Sequence, residues 1–203
     1  FQKPEEYNDV NVIGTKNIFE IANREKIRVV YASSSSIYGN TTQIPIKESF
    51  ERKPINPYGQ TKLDDEILAE KFEELSVIGL RYFNVYGIGQ NISYAGVITK
   101  FLEQIKNKKA LTINGNGNQV RDFIQVKDIA KANLSAMESN VKKSFLNVGT
   151  GISTSINDLA KIMINLSNNE NKIIHGPELE GDIERSQADV EFIKKSIDWN
   201  HKI

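Results

Sequence analysis

The sequence predicts an α/β protein built on a parallel sheet, and three observations carry that reading. Ile27 to Ala32, Val77 to Phe83 and Phe145 to Val148 are short, nearly continuous runs rich in apolar and β-branched residues, the pattern of strands buried on both faces. Segments with apolar residues at helical spacing stand between them, as crossover connections require. Serines follow Ala32, Asn84 follows Phe83 and Gly149 follows Val148, at the strand ends where such sheets take up ligands.

Element by element, Pro4 suits a helix start, and Val10, Ile13, Ile18, Ile21 and Ala22 follow at helical spacing, which predicts a helix over about 4–25. The strand Ile27 to Ala32 runs into Ser33 to Ser36, and 39–56 reads as a polar, proline-containing loop. Pro57 opens a helix to about 75 that carries Tyr58, Lys62, Ile67, Leu68 and Phe72. After Val77 to Phe83 come the loop Asn84-Val85-Tyr86-Gly87, a helix from Val97 to Lys106 and a short strand from Ala110 to Ile113. Asn114 to Asn118 reads as a hairpin turn whose glycines suit positive φ. Val126 to Met137 is helical by spacing and Phe145 to Val148 is a third core strand. Ser155 caps a helix to about Leu166, with Asp158 completing a partial capping box.

With 203 residues and 39% hydrophobic content, the chain can form one domain, or a domain with a smaller lobe. Its formal charge of zero gives no electrostatic case for nucleic acid or an acidic membrane surface. The absence of cysteine excludes disulfides, thiolate metal sites and thiol nucleophiles, and fits a cytoplasmic location. No apolar run approaches the roughly 20 residues that span a bilayer, and Phe1-Gln2-Lys3-Pro4 does not begin a signal peptide. Asn91-Ile92-Ser93 and Asn165-Leu166-Ser167 are therefore expected to stay unglycosylated. His175 and His201 form no ligand spacing, so no metal is expected.

Tyr58 and Lys62 lie four residues apart, which on a helix puts phenol and ammonium on one face. A tyrosine titrates near about 10 and needs a neighbouring cation to act as a base near neutrality, a service Lys62 is placed to give. Chance supplies on the order of one Tyr-x-x-x-Lys in a chain of this composition, so the pair gains weight only from its surroundings. The upstream serines alone could be a solvated strand end, and no Gly-x-Ser-x-Gly elbow marks an acyl-transfer serine. A strand-tip hydroxyl followed by Tyr and Lys on the next helix can nevertheless form a relay. On the residues alone, Arg121 reads equally as a surface arginine paired with Asp122, and Asn84 as a turn residue.

Read together, Tyr31-Ala32-Ser33-Ser34-Ser35-Ser36-Ile37-Tyr38-Gly39, Asn56-Pro57-Tyr58-Gly59-Gln60-Thr61-Lys62 and Leu80-Arg81-Tyr82-Phe83-Asn84-Val85-Tyr86-Gly87 resemble the extended short-chain dehydrogenase/reductase family. The likeness is greatest to its nucleotide-sugar epimerase branch, typified by UDP-glucose 4-epimerase. Asn11-Val12-Ile13-Gly14-Thr15, Gly117 to Phe123, Gly181-Asp182 and Ala188-Asp189 continue it in the family's order over nearly the whole chain.

The resemblance implies a Rossmann-like parallel sheet lacking its N-terminal strands, plus a small C-terminal substrate-binding lobe. Residues 1–86 and 122–150 would belong to the dinucleotide domain, and 87–121 and 151–203 to the lobe. Gly149-Thr150-Gly151, within the family's Asn-x-Gly-x-Gly pattern, would be the junction. It further implies Ser34 as catalytic hydroxyl, Tyr58 as general base and Lys62 as the partner that binds the ribose. Phe83 would lie by the nicotinamide of a bound NAD. Asn84, Val97, Arg121, Asp182, Arg185 and Ser186 would contact a UDP-sugar, and a homodimer would form through helices 4–25 and 57–75.

Ser35 and Ser36 stand where dehydratases are typically acidic and decarboxylases keep a Glu, which leaves oxidation at sugar C4 with hydride return. The small Ser186, near the family's gate over the sugar, implies room for an N-acetylated hexose. Leu179 replaces the usual phosphate-binding Arg, and Arg185 is the expected substitute. The chain holds no Gly-x-x-Gly-x-x-Gly, and the resemblance implies that it starts roughly 80 residues into the family's pattern. A non-catalytic relative and a sugar 4-reductase are the alternative readings.

Overall fold

The computed structural model describes residues 4–90 and 96–203. Its centre is a three-stranded parallel sheet of order β1-β2-β7, formed by β1 (Val29–Ser34), β2 (Val77–Tyr82) and β7 (Lys143–Val148). These are the three apolar runs, each displaced by no more than two residues at either end. Each strand sends alternate side chains to opposite faces. Val77 joins Val29, Tyr31 and Phe145 on one side, while Ile78 and Leu80 join Val30, Leu146 and Val148 on the other.

The first face is covered by α2 (Gly14–Glu25) and α3 (Pro57–Lys71), which contribute Phe19, Ala22 and Ala69. The helix expected over 4–25 is continuous but changes pitch: α1 (Pro4–Tyr7) passes into a π-helical stretch, Asn8–Ile13, before α2. That change, with Phe19 and Ala22 taking the inward side, leaves Val10, Ile13, Ile18 and Ile21 on the outside, at 72, 46, 55 and 48% exposure. The apolar spacing predicted the helix correctly, but these four positions do not face the core. The opposite face of the sheet carries α5 (Val126–Glu138) and α7 (Glu191–Ile197), through Ile129, Ala132, Ile193 and Ile197. Trp199 lies in the same core, its indole Nε1 donating to the Asp128 carbonyl at 3.2 Å.

A second core joins α4 (Val97–Lys106), β4 (Leu111–Asn114) and α6 (Ile156–Ser167) through Phe101, Ile105, Leu111, Ile113, Ile156 and Leu159. Ser155 caps α6 as expected, its Oγ accepting from the Asp158 amide at 3.0 Å. The hairpin expected at Asn114 to Asn118 does not form. β4 pairs in parallel with β9 (Ile173–Gly176), and β5 (Val120–Arg121) pairs with β8 (Thr154–Ser155), so the turn links two separate sheets. β3 (Asn84–Tyr86) and β6 (Phe123–Gln125) form a further parallel pair.

Asp122 ties these pieces together. Fully buried, it accepts from the Thr150 amide and hydroxyl, both at 2.7 Å, the Gly151 amide at 2.9 Å and the Ala188 amide at 3.1 Å. A Cβ on Gly149 would lie 2.6 Å from the Asp122 carboxylate, so only glycine lets the strand end approach it. Residues 188–199, at the end of the segment assigned from sequence to the lobe, pack on the sheet core.

Candidate active site

Ser34 ends β1 and caps a short 3₁₀ turn, Ser35–Tyr38. Its Oγ accepts from the Ser36 amide at 3.2 Å and from the Ser36 hydroxyl at 2.8 Å. With its acceptor positions so engaged, the Ser34 hydroxyl keeps its own proton to donate, and Tyr58 lines the same cavity. Tyr58 stands in the first turn of α3, which the sequence starts firmly: the Asn56 side chain accepts from the Gly59 amide at 2.8 Å, and Pro57 opens the helix. Gly59 lets this turn reach the serines, since a Cβ there would lie 2.7 Å from the Ser36 carbonyl oxygen.

Burial raises the Tyr58 pKa, the Ser34 hydroxyl opposes that rise, and Asp65 and Tyr7 add to it. Lys62, the cation expected to keep this phenol acidic, is not among these groups. The Lys62 ammonium lies 3.4 Å from Asp65 Oδ2, so its charge is directed to a carboxylate one turn further along α3. Asp65 is buried, and desolvation pushes its pKa up to about 6 although Lys62 and Thr15 hold it down.

Beneath the pair lies a polar cluster that sequence reasoning missed. Glu66 Oε1 accepts from Ser33 Oγ at 2.6 Å and from Arg81 Nε at 2.9 Å, while Oε2 accepts from Arg81 Nη2 at 2.7 Å. Arg81 Nη1 also donates to the Tyr38 hydroxyl at 2.7 Å, which donates in turn to Asn147 Oδ1 at 2.7 Å. All five side chains are buried. The available signal was helical spacing, which puts Glu66 one turn beyond Lys62 on the same face of α3.

A cavity of about 510 Å³ opens over the strand ends, between the two cores. Ser34, Tyr58, Phe83 and Asn84 line it from the sheet, and Val97, Arg121 and Asp182 from the lobe. Lys62, Arg185 and Ser186 do not line it. Arg185 borders an adjoining cavity of about 370 Å³. Ser186 is buried, its amide donating to the Val120 carbonyl at 3.1 Å. Arg121 pairs with Asp182, Nη2 to Oδ1 at 2.6 Å, and not with Asp122, which faces the Thr150 junction. Burial lowers the Arg121 pKa and Asp182 counteracts that. Lys100 is a second cation on the cavity wall, three residues beyond Val97 on α4, and helical spacing could have found it.

Among the described residues, no group of three or more His, Cys, Asp and Glu side chains gathers as a metal site would need, and no helix is long and apolar enough to cross a membrane. The arrangement can take a proton from a hydroxyl placed between Ser34 and Tyr58, and can hold an anion at Arg121.

Residues 1–149 match the model of the NAD dependent epimerase/dehydratase family. A putative UDP-glucose 4-epimerase of Methanocaldococcus jannaschii is 36% identical over 201 residues, covering 96% of this chain and 65% of the relative. The structure of a UDP-N-acetylglucosamine 4-epimerase from Methanobrevibacter ruminantium, in complex with UDP-N-acetylmuramic acid, superposes with a TM-score of 0.94 at 36% identity, over 99% of this chain and 66% of that one. A UDP-glucuronic acid 4-epimerase from Bacillus cereus, in complex with UDP-glucuronic acid and NAD, gives 0.91 at 25% identity, over 98% and 64%. The chain thus spans about two thirds of the length of the proteins it matches.

Proposed function

The chain belongs to the NAD dependent epimerase/dehydratase family, and from that premise we propose that it carries the catalytic pair and sugar site of a nucleotide-sugar 4-epimerase. Its substrates are UDP-glucose and UDP-galactose, or the N-acetylated pair. The observation that carries this reading is that Ser34 and Tyr58 share the wall of one cavity with Arg121. Tyr58 takes the proton of the sugar 4-hydroxyl, and Ser34 holds that hydroxyl and steadies the phenolate. NAD, when bound, supplies the acceptor and then the donor of the C4 hydride, so the sugar is oxidised and reduced in turn with no net change in the cofactor. Ser34, Tyr58, Lys62 and Phe83 fit that group: Ser34 ends β1 and Phe83 follows β2, at the carboxyl ends where α/β sheets receive dinucleotides, Tyr58 shares their cavity, and Lys62, one turn along α3, would bind the ribose. Arg121 and Lys100 suit the diphosphate, with Asn84, Val97 and Asp182 around the rest of the substrate. At about 510 Å³ the cavity falls in the size range of small-molecule sites.

The dinucleotide part comprises 1–86 and 122–150, and the sugar lobe 87–121 and 151–203, of which 188–199 return to pack on the core of the dinucleotide part. A homodimer through helices 4–25 and 57–75 is supported by the outward apolar side of the first. A cytoplasmic setting suits a chain without cysteine.

Incubating the full-length protein with UDP-glucose and with UDP-N-acetylglucosamine, and following the C4 epimers by NMR, tests the reading. Tyr58→Phe is expected to lower turnover by orders of magnitude while nucleotide-sugar affinity stays within a few fold. Net consumption of NADPH with a UDP-4-keto-hexose, with no C4 epimer formed from either sugar, would establish a 4-reductase instead.

A further inference from the structure

The most unusual group near the catalytic pair is Asp65. It is buried, its Oδ2 faces Lys62 at 3.4 Å, and its Oδ1 has no hydrogen-bond partner. A carboxylate taken out of water with one oxygen unsatisfied is costly, and packing alone gives no reason for it. Its surroundings are known from each side. Lys62 and Asp64 lie on its own helix, with Tyr58 a further turn back. The Thr15 side chain reaches it from α2, and the Tyr31 phenol, disfavoured as an anion by burial first and then by Glu66 and Asp65, stands on β1. Lys62 is thus the cation within reach of Asp65, and Tyr58 is among the groups that feel its charge.

We propose that Asp65 is a positioning residue that holds the Lys62 ammonium away from Tyr58, so that the acidity of the Tyr58 phenol depends on whether Asp65 carries a charge. With Asp65 ionised, Lys62 is neutralised by a partner one turn along the helix, and the carboxylate adds a negative charge that opposes a phenolate. With Asp65 protonated, the same ammonium is released towards the phenol and towards anything that enters beside it. The two groups titrate as a coupled set, so one proton on Asp65 makes the next proton easier to remove from Tyr58. Desolvation of Asp65, already described, brings its ionisation towards the neutral range, where such a device can operate. The role of Tyr58 as a base rests on the epimerase reading, whereas the coupling itself does not.

The test is therefore a titration, made on the full-length protein. Protein labelled with ¹³C at tyrosine Cζ gives one resonance per phenol, and the signal lost in Tyr58→Phe identifies Tyr58. Asp65→Asn keeps the shape and the contact with Thr15 but removes the charge, and is expected to lower the Tyr58 pKa by about one unit. Lys62→Met is expected to move Tyr58 little in the wild-type background and by about one unit upward in the Asp65→Asn background, the signature of a cation that Asp65 had withheld. Asp65→Ala serves the same purpose should the asparagine variant fold poorly. A Tyr58 titration unchanged by both Asp65 variants overturns the proposal, as does a Lys62→Met effect of equal size in the two backgrounds. If the titrations behave as expected and the full-length protein epimerises no sugar, the coupling stands and the functional reading falls.

Discussion

At the residue scale, Asp65 leaves a trace in stability as well as in the titration of its neighbour. Its folded pKa of about 6 lies above the ordinary carboxyl value of about 3.9. The folded protein therefore binds this proton more tightly than the unfolded chain. The stabilising effect of that proton is complete below about pH 4 and is lost as the pH rises through 6. Asn at this position does not ionise and escapes the loss. Asp65→Asn is expected to be more stable than wild type at pH 7.5 by on the order of 1–2 kcal/mol, allowing for solvent screening, and to show no such advantage at pH 4. Urea unfolding at the two pH values measures this. An equal difference at both would mean that shape, and not charge, decides the effect.

At the element scale, α3 organises the site: Tyr58, Lys62, Asp65 and Glu66 follow one another along a single helix. Glu66 anchors that helix to the sheet through Ser33 on β1 and Arg81 on β2, which are direct neighbours in the strand register. Since Ser33 precedes Ser34, the cluster also holds the Ser34 hydroxyl and the Tyr58 phenol in place relative to one another. Arg81→Met is expected to cost about 3–5 kcal/mol, because Glu66 is then buried with only the more distant Arg52 at 3.2 Å to balance it. Ser33→Ala removes one neutral donor and is expected to cost about 1 kcal/mol. Chemical denaturation of both variants checks the order, and equal losses would show that the ion pair carries no special weight.

The same elements explain what could be read in advance. β1, β2 and β7 were legible because both their faces are buried and their sequences are accordingly apolar throughout. α4 and α6 were legible because one face packs on the lobe core, and α6 also through its Ser155 cap. β3, β5, β6, β8 and β9 span only two to four residues, too few for a period to register, and their partners lie far along the chain. Ser34 and Tyr58 could be recognised from their local motifs. The pairing of Arg81 with Glu66, and that of Arg121 with Asp182, depend on strand register and lobe packing, which no local pattern encodes.

At the scale of the whole molecule, large apolar side chains are exposed on several helices, and the helical segment 4–25 carries four of them. Val10, Ile13, Ile18 and Ile21 recur on its outer side, and Ile67 of α3 is also partly exposed. Burying such a row against a second copy removes apolar surface from water at about 25 cal/mol per Å², the main source of stability in a homodimer interface. A two-fold axis beside these helices would also fix α3, and with it Tyr58, from the side opposite the sheet. The full-length protein is therefore expected to sediment as a dimer at micromolar concentration. Ile18→Lys with Ile21→Lys, which leaves Phe19 and Ala22 in the core, is expected to give monomers whose melting temperature no longer rises with protein concentration. A wild-type protein that stays monomeric at every concentration tested removes the dimer, and a double variant that remains dimeric places the interface on another face.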